Sequence, residues 1–214
     1  MTPRLACFDL DNTLIDRDGA FLAWARWWVD RSGLGEDALE WLVAHDNGGF
    51  NPRPRLFAGL RDRFGLAASV EELVDAYDRE HPSFTWVEQP VLDGLASLRT
   101  AGWCVAVVTN GGVVQQSRKL EHTKIADAVD YCCISQAAGV RKPDRRIFEI
   151  VAEHTGTTLG DGWMVGDHPS YDIAGGKNAD LNTIRIGCRH PIDTPIADHH
   201  FESVLDAFPT ILAG

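Results

Sequence analysis

Two aspartates separated by one residue, Asp9 and Asp11, are the strongest chemical signal in the sequence. Residues 5–8 precede them and form an apolar segment that is typical of a buried parallel strand. Residues i and i+2 of an extended chain point the same way, with Cα atoms roughly 6.6 Å apart. Two carboxylates at the carboxyl end of a strand repel each other unless a cation joins them, and Mg²⁺ suits a site with few carboxylates. For this pair alone, a solvated turn is the alternative interpretation.

Polar residues also follow three later apolar segments. Thr109 and Asn110 close the first, and a hydroxyl, an amide and backbone N–H groups before a helix can hold phosphate oxygens. Lys142 precedes a proline-started helix, where its ammonium group can neutralise a phosphoryl group. Asp167 and Asp172 form a second acidic pair. Each cluster alone has an ordinary explanation, namely a turn, a solvated lysine or a helix cap, but four clusters in this order favour a functional site.

Strands and helices alternate in the second half of the chain, which predicts right-handed crossovers and a mostly parallel sheet. The predicted strands after the first are residues 103–108, 131–135, 162–165 and 182–186, and the last predicted helix is 201–212. By contrast, the stretch between the first strand and residue 89 contains four helical patterns and no strand.

The sequence therefore predicts an α/β fold with a Rossmann-like parallel sheet core and an inserted all-α helical-bundle cap domain. We expect residues 1–15 and 89–214 to form the core and residues 16–88 to form the cap. Because the chain leaves the sheet beside the paired aspartates, the insert is expected to cover them as a lid.

The composition limits the classes of partner. The net charge of −11 argues against a broad nucleic-acid or anionic-membrane surface, because both require positive charge. No apolar run approaches the ~20 residues that a membrane span requires. The five cysteines lack CxxC spacing, and the amino terminus leads straight into the first strand, so we expect buried thiols in a reducing cytoplasm. We expect a monomer or homodimer, with His190, His199 and His200 on the surface.

The four clusters together resemble the motifs of the haloacid dehalogenase (HAD) superfamily, in the branch whose helical cap follows the first strand. The resemblance covers the whole chain. The matching motifs are Asp9-x-Asp11-x-Thr13, Thr109, Lys142 and Gly166-Asp167-x-x-x-x-Asp172. The stretch Ala179-Asp180-Leu181 departs from similar sequences, which usually have Ala-Gly there, but it touches no expected catalytic position.

The resemblance implies a phosphoaspartyl mechanism, in which Asp9 is the nucleophile and Asp11 is first the general acid and then the general base. The other implied roles are Mg²⁺ binding by Asp9, Asp167 and the backbone carbonyl of Asp11, phosphoryl binding by Thr109 and Lys142, and support of the metal site by Asp172. The metal and the lysine would offset charge on the transferred group.

A Mg²⁺-dependent phosphatase acting on a small phosphorylated metabolite is the leading functional prediction. Asp11 argues against the branch that acts on carbon–halogen bonds, whose chemistry uses neither this aspartate nor Mg²⁺. Residues 16–88 contain no lysine, which argues against the phosphonate branch with its Schiff base. The alternatives are a phosphomutase of the same superfamily and a catalytically idle HAD-fold binding or regulatory protein.

Substrate selectivity is expected to come from the helical insert. The candidate residues are Arg17, Phe21 and Trp24 on its first helix, Asn47 and Phe50 in a Gly-rich loop, and Arg53 and Arg55 as clamps for a second anionic group. For the aromatic residues the alternative is that they form the core of the insert, because an aromatic stripe at helical spacing usually packs inside.

Overall fold

The computed structural model describes residues 3–187 and 196–214, so the expectations for Cys188 and His190 lie outside the described part. The chain divides into two compact units. Met1–Asp16 and Val87–Gly214 form the first unit, and Arg17–Trp86 forms the second. Among the described helices, none combines the length and apolar character needed to cross a bilayer.

A parallel sheet organises the first unit. Within the described residues its strands are β1 (Arg4–Phe8), β2 (Cys104–Thr109), β3 (Tyr131–Ile134), β4 (Thr158–Gly166), β5 (Asn182–Ile186) and β6 (His199–Phe201). Their order across the sheet is β3-β2-β1-β4-β5-β6, and every neighbouring pair is parallel. The predicted α/β fold with a Rossmann-like core is thereby confirmed. β1 lies centrally, so the residues that follow it emerge at the middle of the sheet edge.

The second unit is helical throughout its described elements. Its main helices are α1 (Arg17–Arg31), α2 (Glu36–Asp46), α3 (Arg53–Phe64) and α4 (Val70–Glu80). A capping box starts α4: Ser69 Oγ accepts from the backbone N–H of Glu72, and the Glu72 carboxylate accepts from that of Ser69.

Aromatic side chains fill the core of the helical unit. Trp24 is fully buried and meets the ring of Tyr77 edge to face, with ring centroids 4.7 Å apart. Near the other end of the unit, Trp27 of α1 packs against Phe84, with centroids 5.5 Å apart. The first and last segments of the unit are therefore in contact.

Helices cover both faces of the sheet in the first unit. They are α5 (Gln89–Thr100), α6 (Val113–His122), α7 (Ile125–Ala128), α8 (Ser135–Ala138), α9 (Arg145–Thr155), α10 (Ala174–Asn178) and α11 (Ala207–Ala213). Phe8 packs into a core with Leu95 of α5 and Phe208 of α11, whereas its neighbour Cys7 points to the opposite core with Phe148 of α9. Because successive side chains of β1 point alternately into two buried cores, both sets of side chains are apolar and the strand is a continuous apolar run.

Three predicted element boundaries are wrong. The strand predicted at residues 162–165 begins at Thr158. The last helix does not begin at residue 201, because His199–Phe201 forms strand β6 and α11 begins at Ala207. A three-residue edge strand is too short to show a sequence period. The helix predicted from residue 143 begins at Arg145, because the Asp144 side chain caps it by accepting from the backbone N–H of Arg146 at 2.9 Å. His199 and His200 are exposed, as expected.

The four described cysteines, Cys7, Cys104, Cys132 and Cys133, are free thiols. Burial raises the pKa of Cys132 and of Cys133 to about 11. Thiols with such pKa values stay protonated near neutral pH and are poor nucleophiles. These side chains therefore act as small apolar residues of the core, as predicted.

Candidate active site

The turn after β1 presents the first two candidate residues at the sheet edge. The backbone N–H of Asp9 donates to the carbonyl of Val165 at 2.8 Å, which extends the pairing of β1 with β4. The carbonyl of Leu10 then accepts from the N–H of Leu14 at 3.0 Å, and Asn12 takes a left-handed conformation with φ of 61°. The turn is therefore closed by its own backbone, which fixes both aspartates at the carboxyl end of the strand.

Three carboxylates gather at this edge. Oxygen atoms of Asp9, Asp167 and Asp172 all lie within 4.8 Å of one another. Asp9 and Asp167 are 7% exposed and Asp172 is 1% exposed. Burial raises the pKa of Asp9 to about 7, although the charge of Lys142 acts in the opposite direction. Close, buried carboxylates of this kind require positive charge nearby.

Lys142 supplies part of that charge. Its Nζ lies 2.6 Å from Asp9 Oδ1 and 2.7 Å from Asp172 Oδ1, and the side chain is only 2% exposed. Burial acts to lower the pKa of this ammonium group, but the carboxylates of Asp172 and Asp9 outweigh burial and raise it. Lys142 is therefore held charged between the two carboxylates.

The turn after β4 is built around Asp172. Its Oδ2 accepts from the backbone N–H of His168 at 2.9 Å, while its Oδ1 accepts from Lys142. A Cβ on Gly166 would lie 2.3 Å from Cγ of Asp172, so no larger residue fits there without movement. Close packing against Asp172 therefore accounts for the glycine at position 166, the first residue of the predicted motif.

Asn110 lies in the site, but its side chain has a different partner from the expected phosphate. Its Nδ2 donates to the backbone carbonyl of Lys142 at 3.0 Å, and its Oδ1 accepts from the backbone N–H of Lys142 at 2.9 Å. The amide is therefore engaged by the lysine backbone. The second N–H of the side-chain amide and the backbone N–H of Asn110 are the remaining candidates for phosphate binding.

Asp11 meets two residues of α6 that the sequence interpretation missed. Lys119 Nζ lies 2.8 Å and 2.9 Å from the two carboxylate oxygens of Asp11. Gln116 Nε2 lies 3.1 Å from Asp11 Oδ2 and 2.7 Å from Oγ1 of Thr109. The available signal was their spacing, because Gln116, Lys119 and Leu120 fall on one helix face, where an apolar stripe is expected.

The charges of the site leave room for a divalent cation. Its carboxylates belong to Asp9, Asp11, Asp167 and Asp172, and its ammonium groups to Lys119 and Lys142. Four negative groups and two positive groups leave an excess of two negative charges, which one divalent cation would balance. The donors are carboxylate oxygens, the hard ligands that Mg²⁺ prefers, so the residues fit the expected metal.

Within the helical unit, two of the arginines proposed for substrate selectivity bind a carboxylate of the unit itself. Arg17 is 4% exposed and forms a two-pronged contact with Asp46, and Arg53 Nη1 lies 2.6 Å from Asp46 Oδ1. Burial acts to raise the pKa of Asp46, but the hydrogen bond and charge of Arg17, together with Arg53, outweigh it and lower the pKa. These contacts favour a structural role for both arginines.

The other helical candidates differ in exposure. Phe21 and Trp24 are buried in the core of the unit, which favours the alternative that the aromatic stripe packs inside. Asn47, Phe50 and Arg55 are exposed, and Phe50 keeps 44% of its surface accessible. Exposure leaves these three as the candidates for contact with a ligand.

Known proteins resemble this chain in sequence and in fold. The family profile described as haloacid dehalogenase-like hydrolase matches residues 6–186. The phosphoserine phosphatase of Thermus thermophilus is 28% identical over 180 residues, which are 79% of this chain and 70% of that enzyme. The pyrimidine 5′-nucleotidase YjjG of Escherichia coli is 37% identical over 87 residues, but the match spans only 40% of this chain and 39% of YjjG.

Among solved structures, the HAD-hydrolase YfnB of Bacillus subtilis, determined bound to magnesium, has a TM-score of 0.80 to this chain. The two are 20% identical in sequence, and the superposition covers 99% of each chain. At this level of identity the likeness establishes a shared fold.

Proposed function

Because the chain belongs to the haloacid dehalogenase-like hydrolase family, we propose that it is a Mg²⁺-dependent phosphatase that hydrolyses a small phosphorylated metabolite through an aspartyl-phosphate at Asp9. One observation carries the proposal: a buried ammonium group, that of Lys142, contacts Asp9 and Asp172 beside a third carboxylate. Such a site suits an anionic nucleophile that must approach an anionic ester. Relatives named phosphoserine phosphatase and pyrimidine 5′-nucleotidase support phosphate esters as the substrate class.

In the first step a carboxylate oxygen of Asp9 attacks phosphorus, and the bond between phosphorus and the leaving oxygen breaks. Asp11 takes up a proton when the anionic ester binds and gives that proton to the leaving oxygen, so the alcohol leaves neutral. Lys142 and the hydroxyl of Thr109 hold the phosphoryl oxygens during transfer. The Thr109 oxygen accepts from Gln116, which leaves its own proton available for donation.

In the second step Asp11, now a carboxylate, takes a proton from water. The water oxygen attacks phosphorus, the bond to Asp9 breaks, and inorganic phosphate leaves. The same residue thus serves as acid and then as base, and loss of its proton to solvent when phosphate leaves restores the free enzyme.

Asp9, Asp167 and the backbone carbonyl of Asp11 are the proposed Mg²⁺ ligands, and Asp172 supports them. Mg²⁺, when bound, supplies positive charge that reduces the repulsion between the nucleophile and the phosphate ester. The excess negative charge of the site is the reason to expect this dependence.

We assign substrate selection to the helical unit as a cap domain, with Asn47, Phe50 and Arg55 as the exposed candidates. The support is its place in the chain: α1 begins shortly after Asp11, so the insert starts beside the proposed catalytic residues in sequence. Loops and inserted segments on a rigid core commonly decide which ligand binds.

Phosphate release from p-nitrophenyl phosphate and from a panel of phosphorylated metabolites tests the proposal. We expect release with Mg²⁺, a fall of about 10²-fold or more in EDTA, and recovery when Mg²⁺ is restored. Turnover that is equal with and without metal would contradict it. If the product is an isomer of the substrate and no phosphate is released, the protein is a mutase. If it releases halide from 2-chloropropionate, it is a dehalogenase.

Asn110→Ala provides a prediction for the contact with the Lys142 backbone. Loss of two hydrogen bonds is expected to lower the free energy of unfolding by about 1–3 kcal/mol and kcat by about tenfold, because Lys142 loses its fixed position. Urea unfolding and steady-state kinetics measure the two effects. Asn110→Asp is the matched variant. It keeps an oxygen that accepts from the backbone N–H of Lys142 but loses the N–H that donates to the Lys142 carbonyl. Unchanged kcat in both variants would remove Asn110 from the site.

A further inference from the structure

The side chain of Asp11 is restrained more closely than the proposed acid–base role alone requires. Both of its oxygens contact Lys119 Nζ, at 2.8 Å and 2.9 Å, and Oδ2 also contacts Gln116 Nε2 at 3.1 Å. Contacts to both oxygens fix the rotation of the carboxylate as well as its position. The Asp11 side chain nevertheless keeps 26% of its surface exposed, so it stays accessible to a ligand and to water.

Lys119 is an unusual residue for its position. Its side chain is 4% exposed, and lysines are rarely so buried unless they are paired. A lysine that only stabilised α6 would extend to solvent, as the exposed Lys124 just beyond the helix does. The burial of Lys119 is therefore explained by its contact with Asp11.

Gln116 connects two parts of the site. Its side-chain amide donates to Asp11 Oδ2 and, at 2.7 Å, to Thr109 Oγ1, and the residue is 2% exposed. Gln116 and Lys119 are three residues apart on α6, so they share one face of the helix. One helix face thus holds both the proposed acid–base group and the proposed phosphoryl-binding hydroxyl.

The geometry points to Gln116 and Lys119 as positioning residues that orient the Asp11 carboxylate for proton transfer to the leaving oxygen, which suits the enzyme to phosphate esters of aliphatic alcohols. This inference rests on the proposed phosphatase function and deepens it. An aliphatic alkoxide is a poor leaving group and needs the proton of Asp11 as its bond to phosphorus breaks. The p-nitrophenolate ion is stable without that proton, so its release does not depend on the orientation of Asp11.

The test compares Lys119→Met with wild-type enzyme on an alkyl phosphate, such as glycerol phosphate, and on p-nitrophenyl phosphate. We expect kcat/KM, which covers the steps up to the first phosphoryl transfer, to fall about 10²-fold for the alkyl phosphate and less than about fivefold for p-nitrophenyl phosphate. The second step, in which Asp11 is the base, is common to both substrates and does not enter this ratio. Lys124→Met makes the same chemical change at an exposed position and should leave both activities unchanged.

Two further variants separate positioning from a general structural effect. In an Asp11→Asn background, adding Lys119→Met should cause no further loss on the alkyl phosphate, because the group that Lys119 orients is already gone. Gln116→Leu should show the same preference between substrates with a smaller loss, and it replaces Lys119→Met if that variant does not fold.

Equal losses on the two substrates, or additive losses with Asp11→Asn, would overturn the inference. Crystal structures of wild-type protein and Lys119→Met give a readout that does not depend on activity, and an unchanged Asp11 side-chain orientation would also overturn it. Failure of the proposed function looks different: wild-type enzyme would then release no phosphate from any ester, whatever residue stands at position 119.

Discussion

Asp9→Asn is expected to abolish phosphate release, with kcat falling by about 10⁴-fold or more, because an amide cannot form the proposed aspartyl-phosphate. The fold should survive this change. Asn removes one of three close, buried carboxylates, so mutual repulsion at the sheet edge decreases. Steady-state phosphate release and thermal unfolding measure the two effects separately.

Asp161→Asn is the matched control for Asp9→Asn, since it makes the same change at an exposed position in β4. It should keep wild-type turnover. A second measurement addresses the nucleophile directly: crystals of wild-type protein grown with Mg²⁺ and beryllium fluoride should contain an adduct on the Asp9 carboxylate. Turnover by Asp9→Asn above about 1% of wild type would rule out the covalent route through this residue.

Lys142→Met is expected to lower both stability and activity. It leaves Asp9 and Asp172 buried without the ammonium group that contacts them at 2.6 Å and 2.7 Å. Removing one partner of a buried ion pair costs about 3–5 kcal/mol, and loss of the phosphoryl-binding charge should lower kcat by about 10³-fold. Urea unfolding measures the change in the free energy of unfolding. EDTA is present so that no bound metal ion replaces the lost positive charge.

Lys177→Met is the control for Lys142→Met. Lys177 pairs with Asp198 at 3.0 Å, but its side chain is 35% exposed. Because solvent screens such pairs, we expect a change of less than about 1 kcal/mol and unchanged kcat. If the two lysine variants lost equal stability, the argument that the buried Lys142 supports the site would fail.

The parallel sheet was predictable from the sequence, and with it the gathering of polar residues at one edge. Asp9, Lys142 and Asp167 each follow an apolar segment, and parallel strands bring their carboxyl ends to the same side. The pattern of apolar segments therefore predicts the parallel sheet. It does not predict β6, because a strand of three residues at the sheet edge shows no period.

The contacts made by α6 and by Asn110 were not predictable in the same way. The spacing of Lys119 and Leu120 places Lys119 on the face of α6 expected to be buried, but the pattern does not identify Asp11 as its partner. Asn110 meets the backbone of Lys142, which is 32 residues away in the chain. A side chain bound to a distant backbone leaves no signature in the types of the two residues.

The helical unit shows a similar limit. Arg17 is predicted from the sequence to be a selectivity residue because it lies on the first helix of the insert. Its burial depends on Asp46, the last residue of the next helix, and on the way the two helices meet. The aromatic stripe was more informative, because the spacing of Phe21 and Trp24 already predicted packing as the alternative.

The contact between Trp27 and Phe84 has a consequence for how this protein can be altered. The first helix and the closing segment of the helical unit pack together, so the unit is a compact cassette with its own core. Such a cassette can be exchanged for another by recombination at residues 16–17 and 86–87, the points where the chain crosses between the two units. If the helical unit selects the ligand, as proposed, the chemistry and the choice of ligand can then evolve on separate stretches of the gene.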